Sequence, residues 1–220
     1  MSMEAVFLRG NAEHDKAVKI LTSIGNLVKL SVTSFNIEDS IEAFDLIMQG
    51  FLLKVAIADG KLANEEIAYI KAVCDKADIL ERLKSSTNLD VSWVSLKWMD
   101  NETREKLILV IEKVVTQFTE KFVVPYALVD VILDRDVLAD IKDAFLGIMA
   151  AFAMMDGDGD NFSEHIAIVQ SLNVLENAWK KAMSEAGNGN STPKSSPSPA
   201  SVSAPQRNSL KARYESLKKN

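Results

Sequence analysis

The chain has 220 residues, is 47% hydrophobic and 25% charged, carries a formal net charge of −6 and holds a single cysteine. That much apolar material can build a core and excludes wholesale disorder. One cysteine excludes an internal disulfide, so the expectation is an intracellular, cytoplasmic protein. The opening MSMEAVFLRG has no basic segment followed by a long apolar run, and no stretch approaches the roughly 18 uninterrupted apolar residues of a membrane span. Neither a signal peptide nor a direct membrane span is therefore expected.

The charge is divided. Residues 1–186 sum to −11 and residues 187–220 to +5. An acidic body disfavours nucleic acid and suits metal cations or basic protein partners.

In chain order, apolar spacing of three and four predicts a helix over about 12–32 through Ile20, Ile24, Leu27, Val28 and Leu30. A second, over about 38–58, carries Ile41, Phe44, Leu46, Ile47, Phe51, Leu52 and Val55 and is apolar on most faces, as a central helix would be. A third, over about 64–84, turns Ile67, Ile70, Ala77 and Leu80 inward and Glu65, Lys71 and Lys76 outward. Cys74 within it reads as a small buried hydrophobe. Residues 85–90 (SSTNLD) are turn chemistry, followed by a short segment with Trp93 and Trp98, five apart and so not well matched to one helical face; core packing is their expected role, with exposure of one for a partner as the alternative. A helix over about 101–122 is capped by Asp100, and Pro125 is expected to restart the chain. The run Phe122–Leu133 has strand-like composition, but its helical neighbours favour a helix. A very apolar helix over about 136–155, with Met149, Met154 and Met155 read as core, and a helix over about 163–186 complete an all-α body.

From Gly187 to Asn208, 15 of 22 residues are Ser, Pro, Gly or Asn, the composition of a disordered linker. The last twelve residues, SLKARYESLKKN, recover helical spacing through Leu210, Tyr214 and Leu217. They read as a basic amphipathic tail, able to dock on the acidic body or on another molecule, or else as a solubilising end.

One internal repeat stands out. Asp59–Ile70 (DGKLANEEIAYI) and Asp158–Val169 (DGDNFSEHIAIV) share five of twelve positions without a gap, and each copy joins a very apolar helix to an amphipathic one. A competing register pairs Leu62 with Phe162 as the apolar residue before each helix. Glycine suits the sharp turn after the first helix, but an aspartate at that helix's C-terminus sits against the dipole and needs a cation, a donor or the next helix N-terminus. A structural Asx-type turn would answer that need at Asp59. In the second copy Asp156, Asp158, Asp160 and Glu164 fall within nine residues, an arrangement that can aim several carboxylate oxygens at one hard cation. It is not a standard EF-hand, because Asn161 and Ala167 occupy the positions of the required glycine and closing glutamate. His165 adjoins the cluster, either as a zinc or manganese ligand or as a surface residue.

The stretches VAIADGKLANEEI (Val55–Ile67) and FAMMDGDGDNFSEHI (Phe152–Ile166) resemble the TerB-like proteins, a family named for tellurite resistance and also found at the N-terminus of some DnaJ-like membrane-anchored co-chaperones. The resemblance implies an all-helical fold with two pseudo-symmetric halves and a divalent metal site, with Ca²⁺, Mn²⁺ and Zn²⁺ not distinguished. Carried over, Asp59 and Glu66 would meet Asp156 and Glu164 at the pseudo-twofold, with Asp158 and Asp160 adding oxygens. The second loop is enlarged, and His165 stands where the ungapped register expects the second glutamate. The resemblance covers about residues 38–185; the expected organisation is an N-terminal helical extension packed on the body (1–37), a TerB-like helical domain (38–186), the linker (187–208) and the tail (209–220). No nucleotide-binding, Cys–His or nucleophile-elbow signature is present. The expectation is thus a non-enzymatic metal-binding protein of a stress-response or signalling complex with protein partners, or alternatively a metal-free helical interaction module.

Overall fold

The computed structural model describes residues 2–58, 62–87, 91–133, 136–155 and 162–187. Eight helices and no strand occur among them: α1 (Met3–Ser31), α2 (Ile37–Ala56), α3 (Asn64–Val73), α4 (Ile79–Thr87), α5 (Trp93–Lys97), α6 (Asn101–Leu133), α7 (Val137–Phe152) and α8 (Phe162–Gly187). Among the described residues, no helix is long and apolar enough to cross a membrane. The linker and tail calls, apart from Gly187 at the end of α8, lie outside the described residues.

Most helices start on a residue that can accept the free amide groups of a first turn. Ser2 accepts from Ala5 N–H, Asn36 from Glu38 N–H, Ser92 from Ser95 N–H, Asp100 from Thr103 N–H and Asp136 from Ala139 N–H. The Thr103 amide and hydroxyl together hold the Asp100 carboxyl below its usual range.

Helix α2 is the hub, packing against α1, α3, α4, α6, α7 and α8. Its sequence explains this position: Phe44 through Phe51 is buried without interruption, so every face has a neighbour. Close approach to α6 depends on Gly50, where a Cβ would come within 2.2 Å of Val115 Cγ2. Helix α1 lies mainly along α7 and inserts Ala17, Leu21, Ile24 and Val28 into the shared core. At Gly10 it passes directly over Tyr69, whose hydroxyl a Cβ would meet at 2.2 Å. The ring is held there, because its hydroxyl donates to Ile148 O and its faces meet Phe7 and Phe152. Rings of Phe44, Phe51, Phe122 and Phe145 pack in the centre between α2, α6 and α7.

Three helix predictions need correction. The first helix, expected over about 12–32, starts nine residues sooner, at Met3, behind the Ser2 cap. The single helix expected over 64–84 is two, α3 and α4, broken at Cys74–Asp78. Conversely, α6 runs without interruption from Asn101 to Leu133 and carries Pro125 inside it. Proline removes one intrahelical bond, but the turns around it are core: Val123, Val124, Tyr126 and Ala127 are all fully buried. Burial of that face outweighs the local propensity to stop. The Phe122–Leu133 run is accordingly helical.

Candidate functional site

Helix α2 ends with the Ile57 and Ala58 amides bonded back to Leu53 O and Val55 O. The chain re-enters helix at Asn64 after seven residues, of which Asp59, Gly60 and Lys61 lie outside the described set. Ala63, the residue before α3, has no side-chain oxygen to cap with. Glu66 supplies the cap instead: its Oε2 accepts the Ala63 N–H at 2.6 Å. That carboxylate is 5% exposed.

The second turn is longer, nine residues between α7 and α8. Asp156, Asp158 and Asp160 lie outside the described residues, whereas Glu164 is buried in the first turn of α8. Of the six proposed metal ligands, then, Glu66 and Glu164 are described. Each heads a helix that packs on α2. Among the described residues no group of three or more His, Cys, Asp or Glu side chains could hold a metal ion.

Burial follows one pattern in the two halves of the repeat. Glu66, Tyr69, Ile70 and Val73 are buried in α3, and Glu164, Ala167, Ile168 and Ser171 in α8. Setting Glu164 against Glu66 matches the two burial patterns, and in that register α8 starts one residue sooner after Asp158-Gly159 than α3 does after Asp59-Gly60. The ungapped alignment would match buried Glu164 with exposed Glu65, and His165 with Glu66, yet His165 is exposed. The alternative register also fails, because Leu62 is buried and Phe162 is 76% exposed.

A second polar assembly has no counterpart in the sequence-based site. Asp45 and Gln49, one helical turn apart on α2, are both buried. Asp45 Oδ1 accepts from His14 Nε2 at 2.7 Å and its Oδ2 from the Lys76 amide at 3.0 Å. Gln49 donates to Cys74 O and Ala77 O, each at 2.7 Å, and its Oε1 accepts the Ile79 amide at 2.8 Å. These two side chains satisfy the backbone groups freed where α3 stops and α4 starts, which is why the break is stable inside the protein. Asp78 completes the junction by accepting from the Leu80 and Glu81 amides and from Trp93 Nε1. The signal was present in the sequence: two strongly polar residues four apart in an otherwise apolar helix need specific partners.

The junction also buries Cys74 completely. The residue is the C-cap of α3, and burial pushes its thiol well up, with Asp45 and Asp75 adding to the effect. Burial also raises the Tyr69 phenol, so both groups stay neutral at physiological pH. Two core assignments are corrected. Trp98 is 82% exposed, whereas Trp93 is packed against the core. Met154 is 38% exposed at the end of α7, where its sulfur accepts from Arg9 Nη1, while Met149 is buried as expected.

On the other side of the junction, α2, the α3–α4 turn, α4 and Phe118 of α6 enclose an open groove of about 780 Å³. Its floor is apolar and its walls are charged. No family model, no curated protein and no solved structure matches this chain.

Proposed function

We propose that the chain is a non-enzymatic, TerB-like helical protein, built from two related halves, that takes a divalent cation at its Asp-Gly turns. In this reading it acts through protein partners in a stress-response or signalling complex of the cytoplasm. The supporting observation is the pair of buried glutamates, Glu66 and Glu164, each in the first turn of the helix that follows an acidic turn, with matching buried positions after them. Both glutamates have partners within the protein, the Ala63 amide among them at Glu66, so each can offer a cation only the capacity that those partners leave over. The donor set fits a hard cation, since every candidate is a carboxylate: Asp156, Asp158, Asp160 and Glu164 would hold it at the longer turn, with Asp59 and Glu66 as the related half-site. Bound there, a cation would supply charge neutralisation between the end of α7 and the start of α8.

The test is calorimetric titration of chelator-stripped protein with Ca²⁺, Mn²⁺ and Zn²⁺. A heat of binding is expected, with stabilisation of about 2.7 kcal/mol at a hundredfold excess over Kd. The substitutions Asp156→Ala and Asp158→Ala together should abolish it and leave the far-ultraviolet circular dichroism unchanged. No heat and no gain in Tm with any of the three ions would overturn the reading.

A metal-free interaction module is the second reading, and a different observation favours it. Phe162, Ile166 and Val169 form one stripe on the first two turns of α8, exposed at 76%, 41% and 57%. Apolar surface grouped in this way marks contact faces. An athermal titration leaves this reading standing and removes the first.

A further inference from the structure

The groove beside the α3–α4 junction has an apolar floor that includes Ala43, Leu46 and Phe118. Its walls carry Asp39 and Glu42 from α2 and Glu81 from α4. Neither Glu42 nor Glu81 has an ion-pair partner among the described residues. The lining holds five acids, Asp75 and Asp78 being the other two, against three bases: Lys76 Nζ lies 3.3 Å from Asp75, the Arg82 guanidinium sits 5.1 Å from the Phe118 ring centroid, and Lys71 has no ion-pair partner among the described residues. A ligand suited to this shape is a short helix with one apolar stripe and positive charge on both flanks.

The chain itself contains such a segment. In residues 209–220, Leu210, Tyr214 and Leu217 share a face at helical spacing. At about 100° per residue, Lys211 and Lys218 fall on one side of that face and Arg213 on the other, with Glu215 and Lys219 away from it. Lys181 Nζ binds Glu120 at 2.7 Å, so the last turns of α8 lie against α6, on a face turned about 200° from that of Phe118, and α8 ends at Gly187. A linker of the length and composition of residues 188–208, rich in Ser, Pro, Gly and Asn, has a reach of about 25 Å root-mean-square.

We infer that residues 209–220 form a helix that seats in the α2–α4 groove of their own chain, apolar stripe on the Leu46–Phe118 floor and Lys211, Lys218 and Arg213 against Asp39, Glu42 and Glu81. Tethering raises the local concentration of the segment, so a helix marginal by itself gains a site without new affinity being required. The inference does not rest on the metal reading.

Hydrogen exchange with mass spectrometry on the full chain tests it. The amides of 209–220 should exchange about tenfold more slowly in the unmodified chain than after Glu42→Lys with Glu81→Lys, or after Lys211→Glu with Lys218→Glu. The second pair leaves the body untouched and carries the test if the first perturbs folding. Combining the two pairs should restore protection by exchanging the charges. The inference is overturned by free exchange of 209–220 in the unmodified chain, by protection that ignores both reversals, or by failure of the combined variant to regain it. Protection that grows with protein concentration would assign the tail to a second copy and would equally overturn the intramolecular contact.

Discussion

The helix pairs α2–α3 and α7–α8 start from similar sequence and end differently. Each is an apolar helix, an Asp-Gly turn and an amphipathic helix with a buried glutamate in its first turn. Yet α8 continues for 26 residues, whereas α3 stops after 10 and the chain restarts as α4. The difference lies in the partner helix. Toward its middle α2 presents Asp45 and Gln49, which take up the amides and carbonyls of the broken turn. Counted back from the C-caps Ile57 and Ala153, the matching positions of α7 are Ile141 and Phe145, both fully buried and apolar. An apolar neighbour offers nothing to an interrupted backbone, so the helix packed on it keeps its own hydrogen bonds. A helix break in a core is thus specified by the helix opposite it.

The comparison can be broken most severely at Gln49. Gln49→Leu fills the same space but leaves Cys74 O, Ala77 O and the Ile79 amide without their partner. A loss of about 3–5 kcal/mol is expected in urea unfolding, because buried polar groups then lie unpaired. An unchanged midpoint would show that the α3–α4 break does not need the clamp. Asp45→Asn comes next, at about 2 kcal/mol, since an amide cannot accept from both His14 and Lys76 N–H as the carboxyl group does. The same denaturation series reads it, and a neutral result would make the His14 contact incidental.

Smaller effects sharpen the likeness between the two helix heads. Glu66→Ala removes the side-chain acceptor of the Ala63 amide at the head of α3 and should cost about 1–2 kcal/mol, while Glu66→Gln, which keeps an acceptor for that amide, should recover most of it. Equal losses from both variants would mean that the charge, and not the cap, matters there. The smallest effect is at Asp100, which caps α6, outside both halves. Its carboxyl is held below the usual range in the folded chain, so its contribution is complete at neutral pH, above the unfolded value. It fades as pH falls from about 5 through that value, near 4, and then through the lower folded one. Asp100→Asn should therefore lower Tm slightly at pH 7 and leave it unchanged near pH 2, and an identical decrement at both would remove the charge from the account.

Part of the candidate site was legible in the residues. The repeat located both acidic turns, and the buried Glu66 and Glu164 are two of the six carboxylates that it singled out. The burial pattern was not legible, because identity favours matching Glu164 with Glu65, whereas Glu164 is buried like Glu66. The groove was not legible either. It depends on α2, α4 and Phe118 of α6 meeting, and those residues are far apart in the chain.

Sequence by itself determined the helical class, the cap at Asp100, the central place of α2 and the division between acidic body and basic tail. These follow from local rules: side-chain spacing, capping chemistry and charge act within a few residues of where they are written. Only the tertiary structure decided that 64–84 breaks, that α6 continues through Pro125, and that Trp98 and Met154 face outward while Asp45 is sealed in. In each case local preference is worth about 1–3 kcal/mol, and what surrounds the residue, whether apolar contact or a polar partner on another helix, outweighs it.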